Sequence, residues 1–160
     1  MSRSLTFDFA LLICLVAALL LQVYPLPESV NVWRTNFVLL LCCYLAFEHD
    51  AISALLFACL AGLITDLLLG SVLGRNGLAL AISLAVLHTI SPRIKHGSLW
   101  HETVIVATLT MICELTLQSM NLFTRTSIKA EWVLYPALSA LLIWPVAHAL
   151  LSKVLPARAA

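Results

Sequence analysis

Two acids stand inside strongly apolar sequence, where a carboxyl group can relay protons, bind an ion or hold helices together. Asp66 interrupts "GLITDLLLGSVLGRNGLAL" (62–80), and Glu114 interrupts "TVIVATLTMICELTLQ" (103–118). On a helix, Ala54, Ala58, Gly62, Asp66, Gly70 and Gly74 recur every fourth position. Such a row is a ridge, and small residues along it let another backbone approach closely. This predicts that Asp66 faces protein rather than lipid, about one turn before the end of its helix. Glu114 recurs with Thr103, Ala107, Thr110, Gln118 and Asn121 at steps of three or four. That is a polar and small stripe on one face, suited to other protein or to a water-filled cavity. An acid at mid-span costs about 2.5–3.5 kcal/mol on insertion scales. Each acid therefore reads in one of two ways. It is hydrogen-bonded to neighbouring helices, with a neutral carboxyl favoured by desolvation, or it sits at a partner interface or a cavity.

The other reactive residue types give no pattern. Cys14, Cys42, Cys43, Cys59 and Cys113 all lie in apolar runs without C-x-x-C spacing, and read as small buried hydrophobes. The histidines, among them His88, His96, His101 and His148, form no H-E-x-x-H motif. The chain has no G-x-S-x-G, and "GSVLGRNG" lacks the lysine of a phosphate-binding loop. Its glycines read as turn and helix-packing positions. No cofactor or metal is implied, and an enzyme is not expected.

The elements that position the acids follow from composition. The chain has 160 residues, 62% hydrophobic and 11% charged, against about 25% charged in soluble domains. This excludes a soluble domain and predicts an all-α integral membrane protein in a single transmembrane domain over 1–160. A formal net charge of +1 gives no footprint for nucleic acid. Six spans are predicted, at about 7–24, 32–47, 51–69, 77–91, 103–122 and 132–152. The first reads as an uncleaved span because no A-x-A-like site follows it. The second is short: "FVLLLCCYLAF" has about half the ~20 residues a crossing needs, and reaches full length only by including Trp33 and Arg34. A re-entrant or buried segment is the alternative. Trp33, Arg34 and, in the last span, Trp144 read as interface anchors. Pro136 and Pro145 lie within that last span.

Six spans put both termini on one side with Arg3, Arg93, Lys95, Lys153 and Arg158, against Arg34, Arg75, Arg125 and Lys129 on the other. The excess of basic residues favours cytoplasmic termini by one.

Taken in order, these stretches resemble the bacterial rod shape-determining MreD family. Gly62, Asp66, Gly70, Leu73 and Gly74 fit the family's G-x-x-x-D-x-x-x-G-x-x-x-G core. "YPLPESVNVWRTNFVLLLCCYLAF" is similar to its first loop and second span, with Arg34-Thr35 where the family commonly has Arg-Pro. "LWHETVIVATLTMICEL" resembles the fifth span, and "IWPVAHALLSKV" its Trp-Pro terminal helix. The resemblance implies a compact six-helix bundle similar to the substrate-binding subunits of vitamin transporters. It implies the bacterial inner membrane and a non-enzymatic scaffold of the cell-elongation complex that supports rod shape and lateral peptidoglycan synthesis. The implied partners are an MreC-like single-span protein and membrane lipid, with MreB-like actin and cell-wall synthases met indirectly. A homodimer is compatible with it. On this reading the 54–74 column is the docking face. The competing reading is a small-solute-binding or transport subunit that uses Asp66 and Glu114.

Overall fold

The computed structural model describes residues 2–24, 27, 33–48, 51–90, 99–122 and 131–155. Among these residues the chain forms six helices and no strand: α1 (Ser2–Val23), α2 (Phe37–Glu48), α3 (Ala51–Leu69), α4 (Arg75–Ile90), α5 (Leu99–Leu122) and α6 (Glu131–Val154). Three of them carry segments long and apolar enough to cross a membrane: Ile52–Leu69, Leu99–Met120 and Val133–Val154. The apolar parts of α1, α2 and α4 are shorter.

The helix positions follow the predicted spans, with two differences. Residues 99–102, expected in a loop, are the first turn of α5. The segment expected to run from 32 to 47 becomes helical only at Phe37. Trp33 and Arg34 lie outside it. Asn36 sets that start: its carbonyl accepts from Leu40 N at 3.2 Å, and its side-chain oxygen accepts from Leu39 N at 3.1 Å, as an N-cap does.

With 12 residues, α2 is about 18 Å long and stops well short of a ~30 Å hydrocarbon core. It is the hub of the bundle. Val38 to Leu45 are all buried, and α1, α3, α4, α5 and α6 all pack on it. Its sequence is apolar on every side because every side meets protein. In lipid, apolar burial gives little drive between helices, so packing and polar contacts must hold α2. Its ends are fastened accordingly. Phe37 N donates to Gln22 Oε1 of α1 at 3.3 Å. Asn36 Nδ2 reaches Cys113 Sγ of α5 at 3.9 Å. At the other end Tyr44 donates to the carbonyl of Leu155 at 2.6 Å. These bonds supply partners that lipid cannot give to the ends of a short helix.

Around α2, α3 packs on α4, α4 on α5, and α5 on α6. Pro136 and Pro145 are both inside α6. Trp144, read from sequence as an interface anchor, is fully buried. Its ring lies 5.9 Å from Phe47 of α2, so it fills the core where α6 meets the hub.

Candidate functional site

Four of the chain's five glycines lie between residues 62 and 77, and the structure gives each a task in one helical hairpin. Gly62 of α3 touches Gly77 of α4: a Cβ built on Gly62 would stand 2.3 Å from Gly77 Cα. The two backbones are in contact, and no side chain fits between them. Ala58 and Ala54, one and two turns earlier on the same side, are buried as well.

This approach brings Asp66 to the start of α4. The carboxylate is fully buried and receives hydrogen bonds from four donors. Oδ1 accepts from Ser71 Oγ at 2.7 Å, Asn76 Nδ2 at 2.8 Å and Asn76 N at 3.1 Å. Oδ2 accepts from Gly74 N at 2.9 Å and shares Asn76 N at 3.3 Å. Both oxygens act only as acceptors, the role of a carboxylate rather than of a neutral acid.

The turn obeys local rules. Ser71 N donates to Asp66 O at 3.0 Å and Gly70 N to Leu67 O at 3.4 Å, the paired bonds of a Schellman motif. The motif requires a left-handed residue after the helix, and Gly70 supplies it with φ 61°. Gly74 has φ 90°, and its carbonyl accepts from Leu78 N at 2.8 Å. It is therefore the N-cap of α4 and has no side chain of its own to cap with. Asp66 of the preceding helix takes that role. It binds the first orphan N–H groups and places its negative charge at the positive end of the helix dipole.

The predicted column therefore divides. Ala54, Ala58, Gly62 and Asp66 lie on α3, and from Gly62 onward the helix against them is this chain's own α4. Gly70 and Gly74 are not on the ridge, because α3 ends at Leu69. They form the turn. Ser71 and Asn76 complete the arrangement, and sequence reasoning passed over them; Gly77, read from sequence among the turn and helix-packing glycines, is the contact of Gly62. The available signal was the spacing Gly74-x-Asn76, a polar residue in the first turn of a helix whose N-cap is glycine.

Glu114 has different surroundings. It is half-buried, and among the described residues no hydrogen bond reaches it. Arg75 is the first residue of α4, which packs on α5. Of the rest of its stripe, Thr110 is fully buried and donates to Val106 O of its own helix at 2.8 Å. Thr103 does the same to Leu99 O at 2.7 Å. Gln118 Nε2 is buried without a partner. The side chain of Asn121 lies outside the described residues. Asp66 and Glu114 are thus not a pair: the first is saturated by its own turn, and no hydrogen bond joins the two.

At the far end of α5, Glu102 Oε2 lies 3.8 Å from His148 Nε2 of α6, and the His148 ring meets Tyr44 edge-on at 5.6 Å. Neither Glu102 nor His148 stood out in the sequence. Trp33 stacks on Tyr135 at 4.6 Å, and Arg34 Nη1 donates to the carbonyl of Tyr24 at 3.0 Å. Among the described residues no group of three or more His, Cys, Asp or Glu side chains is placed to hold a metal.

The profile of the family described as rod shape-determining protein MreD matches residues 2–154. The chain belongs to the MreD family. A similar protein is the rod shape-determining protein MreD of Haemophilus influenzae, 24% identical over 146 residues, covering 91% of this chain and 90% of that one. No solved structure matches the chain. Membership supports a role in determining rod shape. The glycines and aspartate that carried the resemblance in the sequence form, in this structure, the capped α3–α4 turn.

Proposed function

We propose that this MreD-family chain is a non-enzymatic scaffold of the cell-elongation complex in the bacterial inner membrane, with cytoplasmic termini. It binds an MreC-like single-span protein directly and supports lateral peptidoglycan synthesis through MreB-like actin and the wall synthases. The observation that carries the reading is the family match across residues 2–154. The structure lends support at Asp66. An acid spent entirely on capping the next helix has no free lone pairs for a transported ion, so the competing transport reading keeps only Glu114. The docking face proposed for the small-residue column needs revision in the same sense. Gly62 and Asp66 are occupied by α4, and an incoming partner helix must use the outward apolar sides of the bundle, such as Leu56, Leu60 and Leu67 of α3. The test is affinity purification of the full chain from its own membranes in mild detergent. An MreC-like single-span protein should co-purify, and depletion of the chain should turn rods into spheres. Normal rod shape after depletion refutes the reading.

A further inference from the structure

Ser83 Oγ of α4 lies 3.5 Å from the Leu109 carbonyl of α5, and from that contact α4 runs back to Arg75 while α5 runs on through Glu114 to Gln118, which puts the three residues at one level of the hairpin. No salt bridge within 4.0 Å joins Arg75 to Glu114 among the described residues. Around them donors go unanswered. Arg75 Nε and Gln118 Nε2 are both buried and unpartnered, and Gln118 lies one turn beyond Glu114 on the same face of α5. Opposed charges inside a bilayer normally close on each other, because a lone charge there is costly. Among the described residues these two do not.

The helix lengths put these groups below one end of the bundle. Arg75 is the first residue of α4, and Asn36, which caps α2, reaches Cys113 beside Glu114. From Glu114, α5 continues eight residues to Leu122, about 12 Å. Two short helices thus begin at the level of Glu114 while α5 rises past them.

The three groups fix the chemistry of an occupant. The Arg75 guanidinium and the Gln118 amide call for an oxygen acceptor, best an oxyanion. The Glu114 carboxylate calls for a donor, best a cation. A purely anionic ligand would be repelled by Glu114, and a purely cationic one by Arg75. We propose that Arg75, Glu114 and Gln118 form a binding site for a zwitterion that carries an ammonium and an oxyanion, the chemistry of a phosphoethanolamine group. That group reaches the protein either as a lipid headgroup or as a small soluble molecule. The site is independent of the scaffold role and of MreC.

The experiment uses the full chain in detergent, with lipid retention read by native mass spectrometry and thermal stability read in parallel. Phosphatidylethanolamine should be retained at least fivefold over phosphatidylcholine, which has no N–H donor, and over phosphatidylglycerol, which has no ammonium. Glu114→Gln and Arg75→Gln should each remove most of that preference, whereas His148→Gln, at the other end of the bundle, should keep it. If no lipid preference appears but O-phosphoethanolamine raises the melting temperature of the wild type and of neither site variant, the occupant is the soluble form. Equal retention of the three lipids with no response to O-phosphoethanolamine overturns the proposal. So does a preference that survives in both site variants. The wild-type comparison alone decides the matter if a variant fails to fold.

Discussion

Replacing Asp66 by asparagine changes one atom and tests the whole account of the hairpin. The carboxylate answers four donors with two oxygens. An amide offers one oxygen and two further donors. Its best placement keeps oxygen at the Oδ1 position, where Ser71 Oγ, Asn76 Nδ2 and Asn76 N converge at 2.7, 2.8 and 3.1 Å. The NH₂ group then faces Gly74 N, formerly bonded at 2.9 Å, and donor meets donor. An orphaned buried N–H costs about 1–3 kcal/mol. Losing the charge at the start of α4 adds about 0.3–1 kcal/mol, up to ~2 where the site is partly buried. The expected loss for Asp66→Asn is about 2–4 kcal/mol, and Asp66→Leu, which strips all four donors, must lose more. The assay is the free energy of unfolding of the full chain in mixed detergent and SDS micelles, with helicity as the signal. Hydrogen exchange at Gly74 and Asn76 should rise in step, while exchange in α6 changes little. If Asp66→Asn unfolds within ~0.5 kcal/mol of the wild type, the carboxylate is not the cap of α4 and the reasoning fails.

Gly62→Ala should destabilise by about 1–3 kcal/mol or more, because its Cβ meets backbone at 2.3 Å, whereas Gly77→Ala, whose nearest neighbour is Cys59 O at 3.4 Å, should cost less. The same unfolding titration checks both, and equal effects would contradict the asymmetric contact. Tyr44→Phe should cost about 1 kcal/mol by freeing the Leu155 carbonyl. Limited proteolysis should then cut the end of α6 faster, and an unchanged rate would show that the bond does not hold it. Single cysteines replacing Ser4, Ser29, Ser98 or Ser127 in a cysteine-free chain test the topology. An impermeant thiol reagent outside spheroplasts should label positions 29 and 127 only, and labelling at 98 overturns cytoplasmic termini.

The six helices were legible because an uninterrupted apolar run long enough to matter has one solution in lipid, a helix that satisfies its own backbone. The face of Asp66 was legible too, since Ala54, Ala58 and Gly62 mark one side of α3. The continuation to Gly70 and Gly74 was not a face at all. Spacing by four persists across a helix end without any physical link to the ridge, and only the glycine after "TDLLL" hinted at a C-terminal cap there. The hub position of α2 was hidden for the opposite reason. A helix buried on all sides has no stripe to read, so "FVLLLCCYLAF" looks the same whether lipid or protein surrounds it. Trp144 shows the same ambiguity, since an indole in an apolar span suits either the headgroup region or, as here against Phe47, the core.

Asp66 and Glu114 look alike in sequence, each an acid amid leucines, and the fold separates them by what lies within reach. A turn of five residues between α3 and α4 leaves several N–H groups exposed together, and a carboxylate one turn before it can collect them all. Such an acid answers needs created by its own chain, which is why the small residues around it serve a contact inside the protein. Glu114 stands mid-helix, where every neighbouring N–H is already bonded within α5, so any partner must come from another helix or from outside. Arg75 is the neighbour that could close on it, and it begins the very helix that Asp66 caps. The capped turn therefore fixes where Arg75 stands. If the open pair is a property of that placement, loosening the turn should let Arg75 move. Asp66→Asn, beyond its cost in stability, should weaken the zwitterion preference assigned to Arg75 and Glu114, whereas Gly77→Ala should leave it. A variant Asp66→Asn that is destabilised yet keeps the full preference would show that the two acids, both set against the start of α4, are independent in action.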